Sequence, residues 1–278
     1  MRLAWITDPH LNHCDLADWD RLVSLVRGGG YSAVLISGDI SEGDDVVFQL
    51  RRMADVFDLP IHFVLGNHDF YQSSIATARA AVIEASHSHP RLDYLTDSAP
   101  LTIADSVALI GEDGWGDATV GDFENSPLRL QDFLLIDDFQ AAPTADWKSI
   151  LIRLGLESSE RLKEKLEAAL ANHDRVLVAT HVPPFRQACW YQGRTTDDFW
   201  APFFVCGQVG EVLKRAAEQH PQKRIEVLCG HTHSPGVAWI TANLTVTTAG
   251  AQYGCPGIAA TIVIGPTEIE LLGFNRRP

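Results

Sequence analysis

The feature that most constrains the fold of this chain is a series of short apolar runs, several of which end directly in a polar cluster. Six such runs are present, at residues 3–6, 33–36, 61–65, 107–110, 176–179 and 225–228. Their length and their β-branched residues are typical of buried strands. Amphipathic helical patterns at 16–26 and 45–57 separate the first three runs. This alternation predicts a parallel sheet with helices on its faces.

The second half of the chain continues this pattern and then changes. Leu162, Leu166 and Leu170 recur at helical spacing within 159–171, which predicts a helix before the strand at 176. Beyond residue 240, strand-like segments follow one another without a helix between them, which predicts antiparallel strands that complete a second sheet. These segments are 244–248, 258–264 and 268–273.

The chain shows no sequence signal for a division into domains. No linker rich in Pro, Gly or Ser is present, and the least regular stretch, 112–144, is interpreted as an excursion from the core. A single domain over 1–278 is therefore predicted.

Five polar clusters follow five of the apolar runs. They are Asp8-Pro9-His10, Gly38-Asp39, Gly66-Asn67-His68-Asp69, Thr180-His181 and Gly230-His231-Thr232-His233. Because ligands bind at the carboxyl ends of strands in open α/β sheets, we expect these clusters to converge on one edge. As potential ligands these clusters supply two carboxylates, one amide and four imidazoles, a donor set that suits Zn, Mn or Fe rather than Mg or Ca alone.

Two of the clusters have a spacing of their own. Asp8 and His10 are separated by one residue, as are His231 and His233. An extended backbone at these positions would direct both side chains of a pair to the same side. Each pair is therefore expected to clamp a metal ion.

The order of these blocks, D-x-H, G-D, G-N-H-[DE], H and G-H-x-H, resembles the signature of the calcineurin-like metallophosphoesterases. The resemblance implies an α/β (α+β) fold, a four-layer α-β-β-α sandwich of two mixed sheets flanked by helices. It implies that His68 is the active-site histidine and that Asp69 is the acid that orients it. It also implies two metal ions. The first would be held by Asp8, His10, Asp39 and His233, and the second by Asp39, Asn67, His181 and His231.

The activity implied by the resemblance is hydrolysis of a phosphate ester of a small substrate, by a phosphodiesterase or a phosphomonoesterase. Two divalent or trivalent ions, Mn, Fe or Zn, would make a bridging hydroxide available for in-line attack at phosphorus. His68 would then stabilise or protonate the leaving oxygen. The run His181-Val182-Pro183-Pro184 resembles the phosphodiesterase branch of the family.

Two alternatives remain open, a nuclease of the same fold and a non-catalytic metal-binding scaffold. The formal net charge is −14, and a body this acidic lacks the general attraction to a phosphate backbone that nucleic-acid binders use. This charge argues against the nuclease. Scaffold proteins of the family usually lose ligands, whereas all of them are intact in this sequence.

The segment 185–204 holds seven of the 24 aromatic residues. One interpretation is a substrate wall beside the metal ions, with Arg186 or Arg194 meeting phosphate. The other is a packed excursion or the contact of a homo-oligomer, because aromatic residues also dominate interfaces. His13, three residues after His10, is a further candidate for substrate contact.

The cysteines and the apolar runs favour a cytoplasmic protein. The five cysteines are odd in number, far apart and without a C-x-x-C pair, so neither a disulfide framework nor a zinc ribbon is predicted. The apolar run 3–6 is too short for the core of a signal peptide, and no apolar run approaches the ~18 residues of a membrane span. No membrane partner is expected.

Overall fold

A computed structural model describes residues 1–275, in which 12 of the strands form two six-stranded sheets and two short strands form a hairpin. The strands are β1 (Arg2–Ile6), β2 (Ala33–Ser37), β3 (Ile61–Val64), β4 (Leu92–Tyr94), β5 (Leu101–Ala104), β6 (Val107–Glu112), β7 (Arg175–Thr180), β8 (Trp190–Tyr191), β9 (Arg194–Thr195), β10 (Arg224–Cys229), β11 (Gly236–Thr241), β12 (Leu244–Thr248), β13 (Ala260–Ile264) and β14 (Ile269–Leu272). The α-helices are α1 (Leu16–Gly28), α2 (Asp45–Phe57), α3 (Ile75–Ser88), α4 (Asp132–Leu135), α5 (Asp137–Gln140), α6 (Trp147–Asn172), α7 (Ala201–Phe204) and α8 (Gly207–Gln219).

Both sheets are mixed. The first has the order β14-β13-β1-β2-β3-β4, with β1 to β4 parallel and β13 antiparallel to both of its neighbours. The second has the order β11-β12-β10-β7-β6-β5, in which β12, β10, β7 and β6 run parallel and the two edge strands run antiparallel. The parallel strands of each sheet therefore end at the edge that carries the polar clusters.

The alternation of side chains along the strands defines four layers. Ile6 belongs to the core between the first sheet and helices α1 to α3, whereas the adjacent Trp5 belongs to the core between the sheets. In the same way Val178 packs with residues of α6 and α8, and Leu177 faces the first sheet. Since successive residues of a strand point to opposite faces, strands buried on both sides are expected in the two middle layers. The predicted α-β-β-α sandwich is confirmed.

The C-terminal strands differ from the prediction in their partners. The antiparallel pair β13 and β14 joins the first sheet beside β1, not the second sheet. In the second sheet β12 lies parallel to β10, and only β11 pairs with β12 in the antiparallel sense. Local apolar patterns identify strands but carry no information on which distant strand supplies the hydrogen-bonding partner.

Several helices also differ from the sequence interpretation. Helix α6 begins at Trp147, 12 residues before the predicted start, and buries Leu151 and Leu154 in the core of the first sheet as well as Leu162 and Leu166 in that of the second. Helices α3 and α8, and the four-residue helices α4, α5 and α7, were not identified from the sequence. Within residues 1–275, none of the helices combines the length and apolar character needed to cross a membrane.

Candidate metal centre

The seven predicted ligands lie at the carboxyl ends of strands from both sheets. Asp8 and His10 follow β1, Asp39 follows β2, and Asn67 follows β3, all in the first sheet. The ligands from the second sheet are His181 after β7 and His231 and His233 after β10. The structure brings all seven together, although they span more than 220 residues of the chain.

A first cluster consists of Asp8, His10, Asp39 and His233, which can each direct one ligand atom into a group within 4.8 Å of one another. Nε2 of His233 lies 3.3 Å from Oδ1 of Asp8 and 3.1 Å from Nε2 of His10. Nε2 of His10 lies 3.7 Å from Oδ2 of Asp39. Asp8, His10 and Asp39 are at most 2% exposed, so their ligand atoms meet in the protein interior.

A second cluster consists of Asp39, His181 and His231, with Asn67 beside it. Nε2 of His181 lies 3.3 Å from Oδ2 of Asp39, 3.2 Å from Nδ1 of His231 and 3.2 Å from Oδ1 of Asn67. Asp39 is therefore shared by the two clusters. A shared carboxylate is the arrangement that a pair of ions about 3.5–4 Å apart requires.

Two histidines of the second cluster are oriented by backbone carbonyls. Nδ1 of His181 lies 2.9 Å from the carbonyl oxygen of Ser37, and Nε2 of His231 lies 3.3 Å from that of Phe203. Each of these ring nitrogens donates its hydrogen to the carbonyl, so the other nitrogen is left to face Asp39. Histidines that bind metal are oriented in this way. The donor set and these tautomers fit a pair of transition-metal ions.

The backbone at five of the predicted ligands adopts the left-handed conformation. The φ angles are 46° at Asp8, 41° at His10, 52° at Asp39, 68° at His231 and 53° at His233. The prediction of an extended backbone at the two D-x-H and H-x-H pairs is therefore wrong. Residues other than glycine rarely adopt positive φ, and such strain clusters at functional sites. Tight turns at the strand ends, rather than strand geometry, aim these side chains.

The electrostatics of the clusters suit a cation. Burial alone would raise the pKa of Asp39, but the imidazoles of His181 and His68 hold it well below its usual range. Burial lowers the pKa of His10 to about 4 and that of His231 to about 3. Burial also lowers the pKa of His181, but the Asp39 carboxylate outweighs this effect and brings the pKa to about 10. A cation beside Asp39 would compete with this proton for the ring nitrogen.

His68, the predicted active-site histidine, lies at the mouth of the first cluster. Its ring centroid is 4.7 Å from that of His10 and 4.4 Å from that of Tyr71, and its side chain is 19% exposed. Its backbone N–H donates to Oδ1 of Asp39 at 3.0 Å. The ring of His68 is thus placed beside the candidate ligands without belonging to either cluster.

Glu42, rather than Asp69, lies beside the ring of His68. Oε1 of Glu42 is 3.6 Å from Nδ1 of His68. The buried carboxylate of Asp69 accepts hydrogen bonds of 2.8 to 3.0 Å from the backbone N–H groups of Ile40, Ser41 and Gly66. Asp69 therefore fastens the loops after β2 and β3 to each other. Glu42 was missed from the sequence, although its position three residues after Asp39 in the same loop is a signal that could have identified it.

Aromatic side chains border both clusters. The ring of Tyr253, which is 47% exposed, lies 4.3 Å from that of His10 and 5.0 Å from that of His233. Beside the second cluster, the ring of Phe204 lies 4.4 Å from that of His231. Tyr253 was also missed, because nothing in the sequence of the loop after β12 points to this site.

The aromatic segment 185–204 borders the site with its C-terminal end. Besides Phe204, it contributes Trp200, whose ring is 5.4 Å from that of Phe204 and is 44% exposed. Arg186 binds Asp198 and the carbonyl oxygen of Thr196 within the same segment, so its guanidinium is engaged there. His13 lies at the rim, with Nε2 3.9 Å from Oε1 of Glu42.

Comparison with known proteins agrees with this geometry. The model of the calcineurin-like phosphoesterase family matches residues 1–235. Phosphopantetheinyl Hydrolase from Mycobacterium tuberculosis superposes with a TM-score of 0.64 and 17% identity, covering 96% of this chain and 97% of that one. A dimetal phosphatase from Danio rerio superposes with a TM-score of 0.63 and 16% identity, covering 99% and 96% of the two chains.

At these identities the structural similarity establishes the fold, and no curated protein sequence gives a significant match. The family match, by contrast, extends over most of the chain and includes every predicted ligand. The chain therefore belongs to the calcineurin-like phosphoesterase family.

Proposed function

We propose that this protein hydrolyses a phosphate ester of a small substrate with the help of two metal ions. The observation that carries the proposal is the pair of clusters that share Asp39. Asp8, His10, Asp39 and His233 would hold the first ion, and Asp39, Asn67, His181 and His231 the second. When bound, two such ions lower the pKa of a water molecule and neutralise charge on the phosphoryl oxygens. The mixture of oxygen and nitrogen donors favours Mn, Fe or Zn.

The residues around the clusters supply the other parts of the reaction. The ring of His68 is partly exposed beside His10, and an imidazole in this position can donate a proton to the leaving oxygen. The Glu42 carboxylate lies next to this ring, with Oε1 3.6 Å from Nδ1. Proton donation matters most for alkyl leaving groups, which depart poorly as anions.

The charge of the chain favours a small substrate. The whole chain carries a net charge of −14. A body this acidic offers a long polyanion no general electrostatic attraction. This argues for a small phosphoester over DNA or RNA.

The experiment is an assay of metal-free protein reloaded separately with Mn²⁺, Fe²⁺, Zn²⁺ and Mg²⁺. The substrates are an aryl phosphomonoester, an aryl phosphodiester, cyclic nucleotides and single-stranded DNA. The likeness to a phosphopantetheinyl hydrolase adds a phosphopantetheinyl ester to this set. Asp39→Asn is the inactive control, because it weakens the ligand common to both clusters.

We expect turnover of at least one small phosphoester, strongest with Mn²⁺, Fe²⁺ or Zn²⁺ and absent in the control. Cleavage of DNA in preference to every small ester would replace the proposal with a nuclease of the same fold. No turnover with any metal, on a protein that still binds two ions, would indicate a metal-binding scaffold.

A further inference from the structure

We propose that Asp132 is a positioning residue that sets the orientation of the Asn67 amide and thereby the affinity of the second cluster for its metal ion. The proposal rests on the function proposed above. Its basis is the contact between the two side chains. Nδ2 of Asn67 donates to Oδ1 of Asp132 at 2.9 Å, while Oδ1 of Asn67 lies 3.2 Å from Nε2 of His181.

The chemistry of an amide explains why this contact matters. The side chain of Asn67 has an oxygen that can bind a cation at one end and an NH₂ group that cannot at the other. These two ends exchange places when the amide rotates by half a turn. With its NH₂ group bound to Asp132, the oxygen of Asn67 faces the second cluster. Without Asp132, the orientation with NH₂ toward the cluster is no longer disfavoured.

Asp132 also anchors Tyr71. The Tyr71 hydroxyl donates to the same Oδ1 at 2.8 Å, and its ring is the one that packs 4.4 Å from the ring of His68. The carboxylate is 5% exposed, and the two hydrogen bonds described for it both come from the loop after β3. Burying a carboxylate is costly unless hydrogen bonds compensate. The hydrogen bonds that compensate for burying Asp132 therefore come from two residues of the site, Asn67 and Tyr71.

The position of Asp132 in the chain makes the proposal specific. It lies in α4, within the irregular stretch 112–144 that sequence analysis interpreted as an excursion from the core. The same stretch offers a matched control in Asp138, whose Oδ2 accepts a hydrogen bond of 2.8 Å from the backbone N–H of Ile75. Both carboxylates connect this stretch to elements that belong to or flank the first sheet. Only Asp132 contacts Asn67, a proposed metal ligand.

The experiment titrates metal-free protein with Mn²⁺, measuring bound metal by electron paramagnetic resonance and calorimetry. The variants are Asp132→Ala, Asp132→Asn and Asp138→Ala. In Asp132→Ala we expect the affinity for one of two ions to fall about tenfold to a hundredfold, the range seen when such supporting residues are lost. Asp132→Asn should retain both affinities, because its carbonyl oxygen accepts the same two hydrogen bonds. Asp138→Ala should melt at a lower temperature with both affinities unchanged.

Three results would overturn the proposal: both ions binding to Asp132→Ala as tightly as to the wild type, an equal loss of affinity in Asp138→Ala, or a wild type that binds one ion only. If Asp132→Ala does not fold, Asp132→Glu keeps the charge and displaces the carboxylate by one methylene, and we expect it to lose affinity for the second ion while Asp132→Asn keeps it. Because the readout is metal binding, a wild type that binds two ions but hydrolyses nothing would contradict the proposed function and leave this proposal standing.

Discussion

Gly230 lies so close to Asp8, the first candidate metal ligand, that a side chain at this position would clash with it. A Cβ atom at this position would lie 2.0 Å from Oδ2 of Asp8 and 2.1 Å from Oγ1 of Thr7. The next backbone N–H, that of His231, donates to Oδ1 of Asp8 at 2.9 Å. The Asp8 carboxylate therefore lies directly against the Gly230–His231 peptide.

We expect Gly230→Ala to displace Asp8, to weaken metal binding at the first cluster and to destabilise the protein by about 1–3 kcal/mol, as overpacked interiors do. Metal titration and urea unfolding measure the two effects. The control is Gly28→Ala at the end of α1, where an added Cβ meets nothing within 4 Å. Wild-type metal affinity in Gly230→Ala would contradict the close approach.

A substitution of His68 can distinguish an effect on catalysis from an effect on metal binding. Its ring is beside His10 but outside both clusters, so His68→Ala should keep its metal content. If the imidazole protonates the leaving oxygen, kcat on an alkyl phosphoester should fall about a hundredfold to ten-thousandfold. A smaller loss is expected for a nitrophenyl ester, whose leaving group needs no proton.

The measurements are kcat on the two esters and bound metal for each protein. His87→Ala serves as the control, since His87 is a 70% exposed histidine of α3 away from the site. An unchanged kcat on the alkyl ester would exclude His68 as the acid. Equal losses on both esters would point instead to a role in binding the phosphoryl group.

At the scale of elements, strand β10 carries Glu226, an acid whose charged form is disfavoured by burial. Glu226 lines a cavity of about 420 Å³ between the sheets, whose other lining residues include Leu271 and Phe274. Burial raises the pKa of Glu226 from its ordinary 4.5 to about 7, although Arg224 and Arg175 act in the opposite direction. The folded protein thus holds a proton at a pH where the unfolded chain has lost it.

The sign of the pH dependence follows from this shift. Stability from the protonated acid is fully present below pH 4.5 and is lost as the pH rises to about 7. At about 1.4 kcal/mol per pKa unit, reduced for partial exposure, the loss amounts to about 1–3 kcal/mol. Glu226→Gln should remove this loss and be more stable than the wild type at pH 8. Urea unfolding at pH 5, 7 and 8 measures it.

The control for Glu226 is Glu270→Gln, which changes an exposed glutamate of the neighbouring strand β14. This substitution should leave the pH profile of the wild type intact. If Glu226→Gln showed the same slope between pH 5 and 8 as the wild type, the buried acid would not be the source of the pH dependence.

Sequence patterns predicted the elements that are buried on both faces. The strands β1, β2, β7 and β10 were placed within a residue or two, because their apolar runs are continuous and end in polar clusters. In contrast β4 and β5 are short, with polar or exposed residues between the apolar ones, and were not found. A half-exposed edge strand leaves too weak a pattern to be told from a loop.

The candidate site was predictable to the extent that its residues are contiguous with strand ends. All seven side chains that meet in the two clusters could be named in this way. Glu42, Asp132 and Tyr253 could not, because each reaches the site through the folding of a loop or excursion whose sequence does not specify its partner. The position of the Asp69 side chain has the same explanation. Asp69 is adjacent to His68 in sequence, but its side chain accepts hydrogen bonds from the backbone of the neighbouring loop.

At the scale of the whole molecule, the two sheets are joined by polar contacts as well as by their common core. Asp113, directly after β6 of the second sheet, accepts hydrogen bonds from the backbone N–H of Leu65 at 2.8 Å and from the hydroxyl of Tyr94 at 2.6 Å, both from the first sheet. Each cluster of candidate metal ligands also takes side chains from both sheets. Neither sheet keeps its buried face or its ligand set without the other.

We therefore expect the protein to unfold in a single transition, as proposed for one domain over residues 1–278, and metal to shift this transition as a whole. Each bound ion, at a hundred times its dissociation constant, should add about 2.7 kcal/mol to the free energy of unfolding. Calorimetry with and without Mn²⁺ tests both points, and Asp39→Asn, which lacks the shared carboxylate, should lose the shift but keep the single transition. Two resolved transitions, or a shift confined to part of the heat absorption, would show instead that the sheets unfold separately and that the ions bind to one of them alone.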